Sequence, residues 1–270
     1  MGTSASHSGP KSGVSFDPPW LDDIDNPEIS KVPVQNPQEI PEVPVVAPPA
    51  RFRSARQNLG DYIKGGSRES LKKSLGHYSR TGMGGARNVA NRMRHSASVA
   101  SKLYSSFSSL REGKEPTINS IISNCRTENV DVYGMMDAIA GYICGDGGSL
   151  DEISPINSVY SALSDLLDNN PDIDITALSD DNIWSLVASF LSYEAFSKIQ
   201  LDIGQGFEAK DISLADRVTR LNDMREYLES EISAQVSVIR SELESNSRSD
   251  LHNVLMTAIE RTFEVFEVTV

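Results

Sequence analysis

The α-amino group of Gly2 is the clearest candidate for chemistry in this chain. The sequence begins MGTSASHSGPKSGVSFDPPWL, and removal of Met1 before the small Gly2 leaves a free amine. An α-amino group with a pKa of about 8 is a competent nucleophile at neutral pH. The same residues match the N-myristoylation pattern, but the basic cluster that usually supports a single acyl chain is missing. From these residues alone, Gly2 is either a modified amine or part of an inert terminus.

The segment that carries Gly2 has the composition of a presented tail. Residues 1–50 hold ten of the thirteen prolines in the chain. Proline removes a backbone donor and disfavours helix in the residue before it, so this composition predicts an extended and partly polyproline II segment. We therefore expect residues 1–50 to be a disordered leader that lacks a packed core.

Charge divides the chain into three regions. Residues 1–50 carry two Lys against seven acidic residues, a net charge of −5. Residues 51–114 carry fourteen Lys and Arg against three acids, a net charge of +11. Residues 115–270 carry nine Lys and Arg against twenty-eight acids, a net charge of −19. We accordingly divide the chain into a leader (1–50), a basic segment (51–114) and an acidic domain (115–270).

The basic segment is a candidate binding surface, because arginines are interleaved with Phe52, Tyr62 and Tyr78. It could dock on the chain's own acidic domain, bind an acidic protein, bind nucleic acid, or form a solvated helix face. Since a domain of net charge −19 repels nucleic acid, a protein partner is favoured. The residues predicted to form this partner or anion surface are Arg53, Arg56, Arg80, Arg87, Arg92 and Arg94.

Apolar residues spaced three and four apart predict an all-α fold, with no reliable strand segment. Short helices separated by glycines begin the basic segment, and a longer helix is expected from about Ala86 to Leu110. An approximate heptad series runs from Leu214 to Leu243, and a last helix is expected from about Asp250 to Val268. We predict a bundle of about five to six helices, preceded by the basic helical segment and the Pro-rich leader.

Other sequence patterns do not define a catalytic or metal site. The four His and two Cys are scattered, without metal-ligand spacing. The TGMGGAR cluster precedes a helix, where an anion is favoured, but it lacks the P-loop Lys and fits better as a turn. No Gly-x-Ser-x-Gly motif marks a nucleophile, so we predict no catalysis. Because neither a secretory signal nor an apolar run of about 20 residues is seen, we expect a cytoplasmic protein.

Two sequence blocks resemble, in their order and spacing, the QatB family, a component of the bacterial Qat anti-phage system. The blocks are the leader, MGTS followed by SGPKSGVSFDPPW, and the basic stretch RFRSARQNLGDYIKGGSRESLKKSLGHYSRTGMGGARNVANRMR. In that system the protein is encoded beside an ATPase, a QueC-like enzyme and a TatD-like nuclease. The chain departs from the usual family pattern at Lys11 and Ser12 and at VSFD, which bears on how strictly the leader is recognised.

The resemblance implies that the chain is a partner and substrate, not an enzyme, in the bacterial cytoplasm. A QueC-like enzyme, using ATP and a 7-deazaguanine precursor, would join the activated acyl group to Gly2, and this chain would bind no cofactor itself. A Pro-Pro-Trp segment would present a large apolar side chain to a partner's pocket or to the chain's own helices. The leader residues implied in recognition are Thr3, Ser4, Pro18, Pro19 and Trp20.

Two other functions also fit the sequence. A nucleic-acid-binding adaptor would use residues 51–114, and its binding would depend steeply on salt concentration. A structural scaffold of a defence complex would carry residues 1–50 as an inert tail, so that deleting them would leave phage protection intact.

Overall fold

A computed structural model of the chain describes residues 50–145, 150–208, 212–243 and 251–270. These ranges are all-α, as predicted, and contain no strand. They hold ten α-helices, more than the five or six expected, with four in the basic segment and six in the acidic domain. The helices are α1 (Arg53–Gly65), α2 (Arg68–His77), α3 (Ala86–Arg92), α4 (Arg94–Arg111), α5 (Pro116–Thr127), α6 (Val132–Cys144), α7 (Leu150–Asn169), α8 (Asp180–Ile203), α9 (Leu214–Leu243) and α10 (Leu251–Glu267).

The basic and acidic helices share one hydrophobic core within the unit formed by residues 52–270. Its central helix is α8, in which every residue from Ile183 to Ser192 except Ser185 is buried. Helix α4 of the basic segment packs on α8 together with α7 and α9, while α10 packs on α2, α3 and α4. The two regions of opposite charge are therefore packed against each other, which the sequence left open.

The single helix expected from Ala86 to Leu110 is broken at Met93, so this prediction was wrong. Met93 has φ −93° and ψ 12°, and its N–H lies within hydrogen-bonding distance of the carbonyls of Val89 and Ala90. The break allows α3 to pack on α10 while α4 packs on both α8 and α10. The Met93 side chain is buried where the two helices meet.

The apolar series of α9 is buried along only part of its length. Leu228 and Ile232 are fully buried, whereas Leu214 and Val218 are 74% and 56% exposed. All four lie on one face of the helix, and the described helices cover that face only from Leu221 onward. Neither α9 nor any other helix in the described ranges is long and apolar enough to cross a membrane.

Candidate partner-binding surface

The predicted site residues fall into two groups. The predicted leader sites lie outside the described residues; they are Gly2, Thr3, Ser4, Pro18, Pro19 and Trp20. The predicted arginines lie in the folded unit, where three of them contact residues of the acidic domain and three face solvent. They are Arg53 and Arg56 in α1, Arg80 in a π-helical segment, Arg87 and Arg92 in α3, and Arg94 at the start of α4.

Asp202, near the C-terminal end of α8, connects the basic segment to the acidic domain. Its carboxylate accepts a hydrogen bond from Arg92 through Oδ1 at 2.9 Å and one from the Tyr78 hydroxyl through Oδ2 at 3.0 Å. Its backbone carbonyl accepts a third bond from Arg56 Nη2 at 2.8 Å. These four residues, which we call the Asp202 node, join α1, the π-helical segment and α3 to α8.

Partial burial strengthens the ion pair of the Asp202 node. The Asp202 side chain is 12% exposed and the Arg92 side chain is 31% exposed. Because water is partly excluded, the pair interacts in a lower effective dielectric than an exposed pair does. Arg56 also places a positive charge at the C-terminal end of α8, where the helix dipole favours a cation. Arg56 and Arg92 therefore help to dock the basic segment on the protein's own acidic domain.

The π-helical segment, Tyr78–Met83, brings Tyr78 to the Asp202 node. The Phe52 ring stacks on Tyr78, with ring centroids 5.6 Å apart, and also covers Gly82. A Cβ atom at Gly82 would lie 2.4 Å from the Phe52 ring, so this approach requires glycine. The segment ends at Met83 and is capped by Gly84, whose φ of 77° is readily adopted by glycine. The TGMGGAR cluster thus forms the turn that leads into α3.

Two further hydrogen bonds hold the π-helical segment to the end of the acidic domain. The buried Ser79 hydroxyl donates to the Glu267 carboxylate at 2.5 Å. Arg80 Nη1 donates to the backbone carbonyl of Val270 at 2.6 Å. Arg80 is therefore the third predicted arginine that contacts the acidic domain.

The remaining predicted arginines, Arg53, Arg87 and Arg94, are exposed. Among the described residues, none forms an ion pair with the side chain of Arg53 or Arg87. Arg94 makes a long contact of 3.4 Å with the side-chain oxygen of Asn91. These three arginines can therefore interact with an external partner without disrupting the packing of the helices.

A buried carboxylate, Glu194, connects α4, α7 and α8. It is fully buried and accepts hydrogen bonds from the hydroxyls of Ser96 at 2.6 Å, Ser154 at 2.9 Å and Ser158 at 2.8 Å. Lys198 Nζ lies 3.5 Å from the same carboxylate. Both carboxylate oxygens therefore have the partners that a buried charge requires. We call these five residues the Glu194 cluster.

The groups around the Glu194 cluster favour a structural role over nucleophilic chemistry. Burial, and secondarily the charge of Glu194, raises the pKa of the nearby Cys144 thiol to about 12. The thiol therefore stays protonated at neutral pH, and a thiol is a poor nucleophile compared with a thiolate. In the described part of the chain, no group of three or more His, Cys, Asp or Glu is arranged to hold a metal ion.

Sequence reasoning missed both Asp202 and Glu194. Glu194 had a usable signal, because it is the one charged residue between Asp181 and Lys198 in an otherwise buried helix. Asp202 had no such signal, because its side-chain partners Arg92 and Tyr78 lie 110 and 124 residues away in the sequence.

Comparison with known proteins identifies the family. The family model for the Qat anti-phage system associated protein QatB matches residues 84–266, which include most of the folded unit and helices from both regions of opposite charge. No curated protein and no solved structure matches the chain. Because the match spans more than half of the sequence, this chain belongs to the QatB family of Qat anti-phage system associated proteins.

Proposed function

We propose that this protein is a non-enzymatic component of the Qat system and the substrate of a QueC-like enzyme. That enzyme would conjugate a 7-deazaguanine derivative to Gly2 after Met1 is removed. The QatB family match over residues 84–266 is the observation that carries the proposal, because it supports the defence role. The substrate role is supported by the resemblance of the leader, in which MGTS precedes the Pro-Pro-Trp block.

The proposed reaction forms an amide between the leader and the 7-deazaguanine acyl group. On the partner enzyme, ATP activates the carboxylate of the precursor. The unprotonated Gly2 amine then attacks the acyl carbon, the activating group leaves, and the nitrogen loses a proton. With a pKa of about 8, roughly a tenth of the amine is unprotonated at pH 7, which is enough for attack within an active site.

The folded unit supplies the binding surface in this proposal. The Asp202 node and the Glu194 cluster tie helices of the basic segment to α7 and α8, and the bond from Ser79 to Glu267 ties the π-helical segment to α10, so exposed side chains on these elements have defined positions. The partners we propose are the QueC-like enzyme and, beyond it, the ATPase and the TatD-like nuclease of the same system. ATP and the 7-deazaguanine precursor belong to the partner enzyme in this scheme.

Intact-mass spectrometry tests the proposal. The full-length protein is incubated with the purified QueC-like enzyme, ATP and the 7-deazaguanine precursor, and each component is omitted in turn. We expect a gain of one acyl group only in the complete reaction. Gly2→Leu is the matched control, because a large second residue keeps Met1 in place. An unmodified wild-type protein, in the presence of an enzyme shown to activate its precursor, contradicts the proposal.

A nucleic-acid-binding adaptor has one observation in its favour, the exposure of Arg53, Arg87 and Arg94. The other three predicted arginines contact the acidic domain, so the free cationic surface is smaller than the sequence indicates. Nucleic-acid binding would require an affinity that falls steeply with salt, with a shallower slope when the exposed arginines are neutralised. A flat salt response of the wild-type protein would exclude this function.

A further inference from the structure

An exposed leucine lies next to the Asp202 node. Leu201, the residue before Asp202 in α8, is 78% exposed. On the neighbouring α1, Arg56 donates to the Asp202 carbonyl, and the exposed Arg53 lies one helical turn before Arg56. Leu201 and the exposed Arg53 therefore each lie within one helical turn, along their own helix, of a residue of the Asp202 node.

Two more exposed arginines, Arg87 and Arg94, lie close in sequence to Arg92 of the Asp202 node. Arg87 and Asn91 are one turn apart in α3, and Arg94 contacts Asn91 at 3.4 Å. Arg92, next to Asn91 in the sequence, reaches the Asp202 carboxylate. The hydrogen bonds of the node thus fix the backbone that carries these exposed arginines.

This combination of side chains suits an acidic protein surface. Protein interfaces are enriched in arginine and in apolar contacts that become buried, and complementary charge selects the partner and speeds association. Nucleic acid suits the surface less well, because its phosphates gain nothing from the exposed Leu201, whereas an apolar side chain on a protein partner can bury it.

Arg53 lies close in sequence to the leader that carries Gly2. The leader joins the folded unit at Phe52, directly before Arg53. A partner that binds near Arg53 is therefore held to the same molecule as the leader that carries Gly2. Tethering converts a second encounter into an intramolecular one, so the effective concentration of Gly2 at that partner's active site is raised.

We propose that Arg53, Arg87, Arg94 and Leu201 form a docking surface for an acidic face of the enzyme that acylates Gly2. The enzyme would hold the folded unit at this surface while its active site receives the leader. The inference rests on the proposed function, but its test reads binding separately from acylation.

The test compares two full-length variants that each remove three positive charges. The docking variant carries Arg53→Gln, Arg87→Gln, Arg94→Gln and Leu201→Ser. The control variant carries Lys64→Gln, Lys114→Gln and Arg126→Gln, all at exposed positions that are not part of the proposed surface. Circular dichroism melting checks that both remain folded, and isothermal titration with the purified QueC-like enzyme gives each Kd.

We expect the Kd of the docking variant to rise at least about tenfold, and that of the control to change less than about threefold. In the acylation assay, the docking variant should show a raised KM with kcat unchanged, because the leader is intact. An unchanged Kd in a folded docking variant overturns the docking surface even if acylation proceeds. If the Kd rises in the docking variant but the wild-type protein is not acylated, the docking surface is supported and the proposed function is contradicted.

Two other results would also overturn the docking surface. One is a wild-type protein that does not bind the QueC-like enzyme at all. The other is an enzyme affinity that is equal in the two variants, together with a loss of single-stranded DNA binding in the docking variant alone. The second result would assign the exposed arginines to nucleic acid.

Discussion

Replacing Asp202 with alanine should remove the main polar connection between the basic segment and the acidic domain. The substitution deletes the acceptors of the 2.9 Å bond from Arg92 and the 3.0 Å bond from Tyr78. Hydrogen bonds to a charged group contribute about 1.5–3 kcal/mol each. Because Arg92 is 31% exposed, water replaces part of its lost interaction. We therefore expect the free energy of unfolding to fall by about 2–3 kcal/mol.

The assay is urea unfolding followed by circular dichroism, supported by thermal melting. For a folded unit of this size, the expected loss lowers the Tm by roughly 5–10 °C. Asp202→Asn should have a smaller effect, because the amide oxygen still accepts a bond from Tyr78. Asp223→Ala is the matched control: its partner Arg220 is 3.4 Å away and its side chain is 48% exposed. We expect a loss of less than about 1 kcal/mol for this exposed pair.

Equal effects of the two substitutions would contradict the role of the Asp202 node. Asp202→Ala and Asp223→Ala could lower the free energy of unfolding equally. In that case the interactions of Asp202 stabilise the protein no more than an exposed ion pair does, despite partial burial and the link between distant segments. The reasoning that the node docks the basic segment would then be wrong.

Three further predictions concern the core and its ionisable groups. Glu194→Ala should lose about 3–5 kcal/mol in urea unfolding, because Lys198 loses its buried partner, and a loss below about 1 kcal/mol would contradict this. Gly82→Ala should destabilise by about 1–3 kcal/mol through overlap with the Phe52 ring, whereas Gly60→Ala, with open space around it, should be neutral or stabilising in the same melts. Burial raises the pKa of Tyr62 from 10.0 to about 12, so its contribution to stability is fully present below pH 10 and is lost as the pH rises towards 12. Unfolding measured between pH 9 and 12 should show a shallower decline for Tyr62→Phe, and identical slopes would refute this assignment.

The all-α fold could be predicted from the sequence, because the periodicity of apolar residues is a local property. The run from Ile183 to Ser192 is rich in apolar residues, as a buried helix requires, and all of its residues except Ser185 are buried. The break at Met93 was not predictable in the same way, because Met has a good helix propensity. The chain bends there so that α3 and α4 can pack on different sets of neighbours, and those neighbours come from distant parts of the sequence.

The positive charge of the candidate surface could be predicted from the sequence, but the contacts of its individual arginines could not. Opposite net charges of +11 and −19 made docking within the chain one of the roles considered for the arginines. They did not indicate which arginines would be used, because Arg56 and Arg92 find Asp202 across 146 and 110 residues of sequence. The exposure of Arg53, Arg87 and Arg94 emerges only once those contacts are known.

The family relationship was predicted mainly from residues that precede the range matched by the family model, with an overlap that begins at residue 84. The resemblance rested on the leader and on the basic stretch that begins at Arg51. The match over residues 84–266 lies mostly within the acidic domain, residues 115–270.

The state of the Gly2 amine in cells that carry the complete defence system tests the central claim most directly. The protein is isolated from such cells while they resist phage, and its N-terminal peptide is sequenced by tandem mass spectrometry. The account predicts a peptide that begins at Gly2, with a 7-deazaguanine acyl group on the α-nitrogen, and no such group when the QueC-like gene is deleted. A free Gly2 amine throughout the protein from protected cells would contradict it.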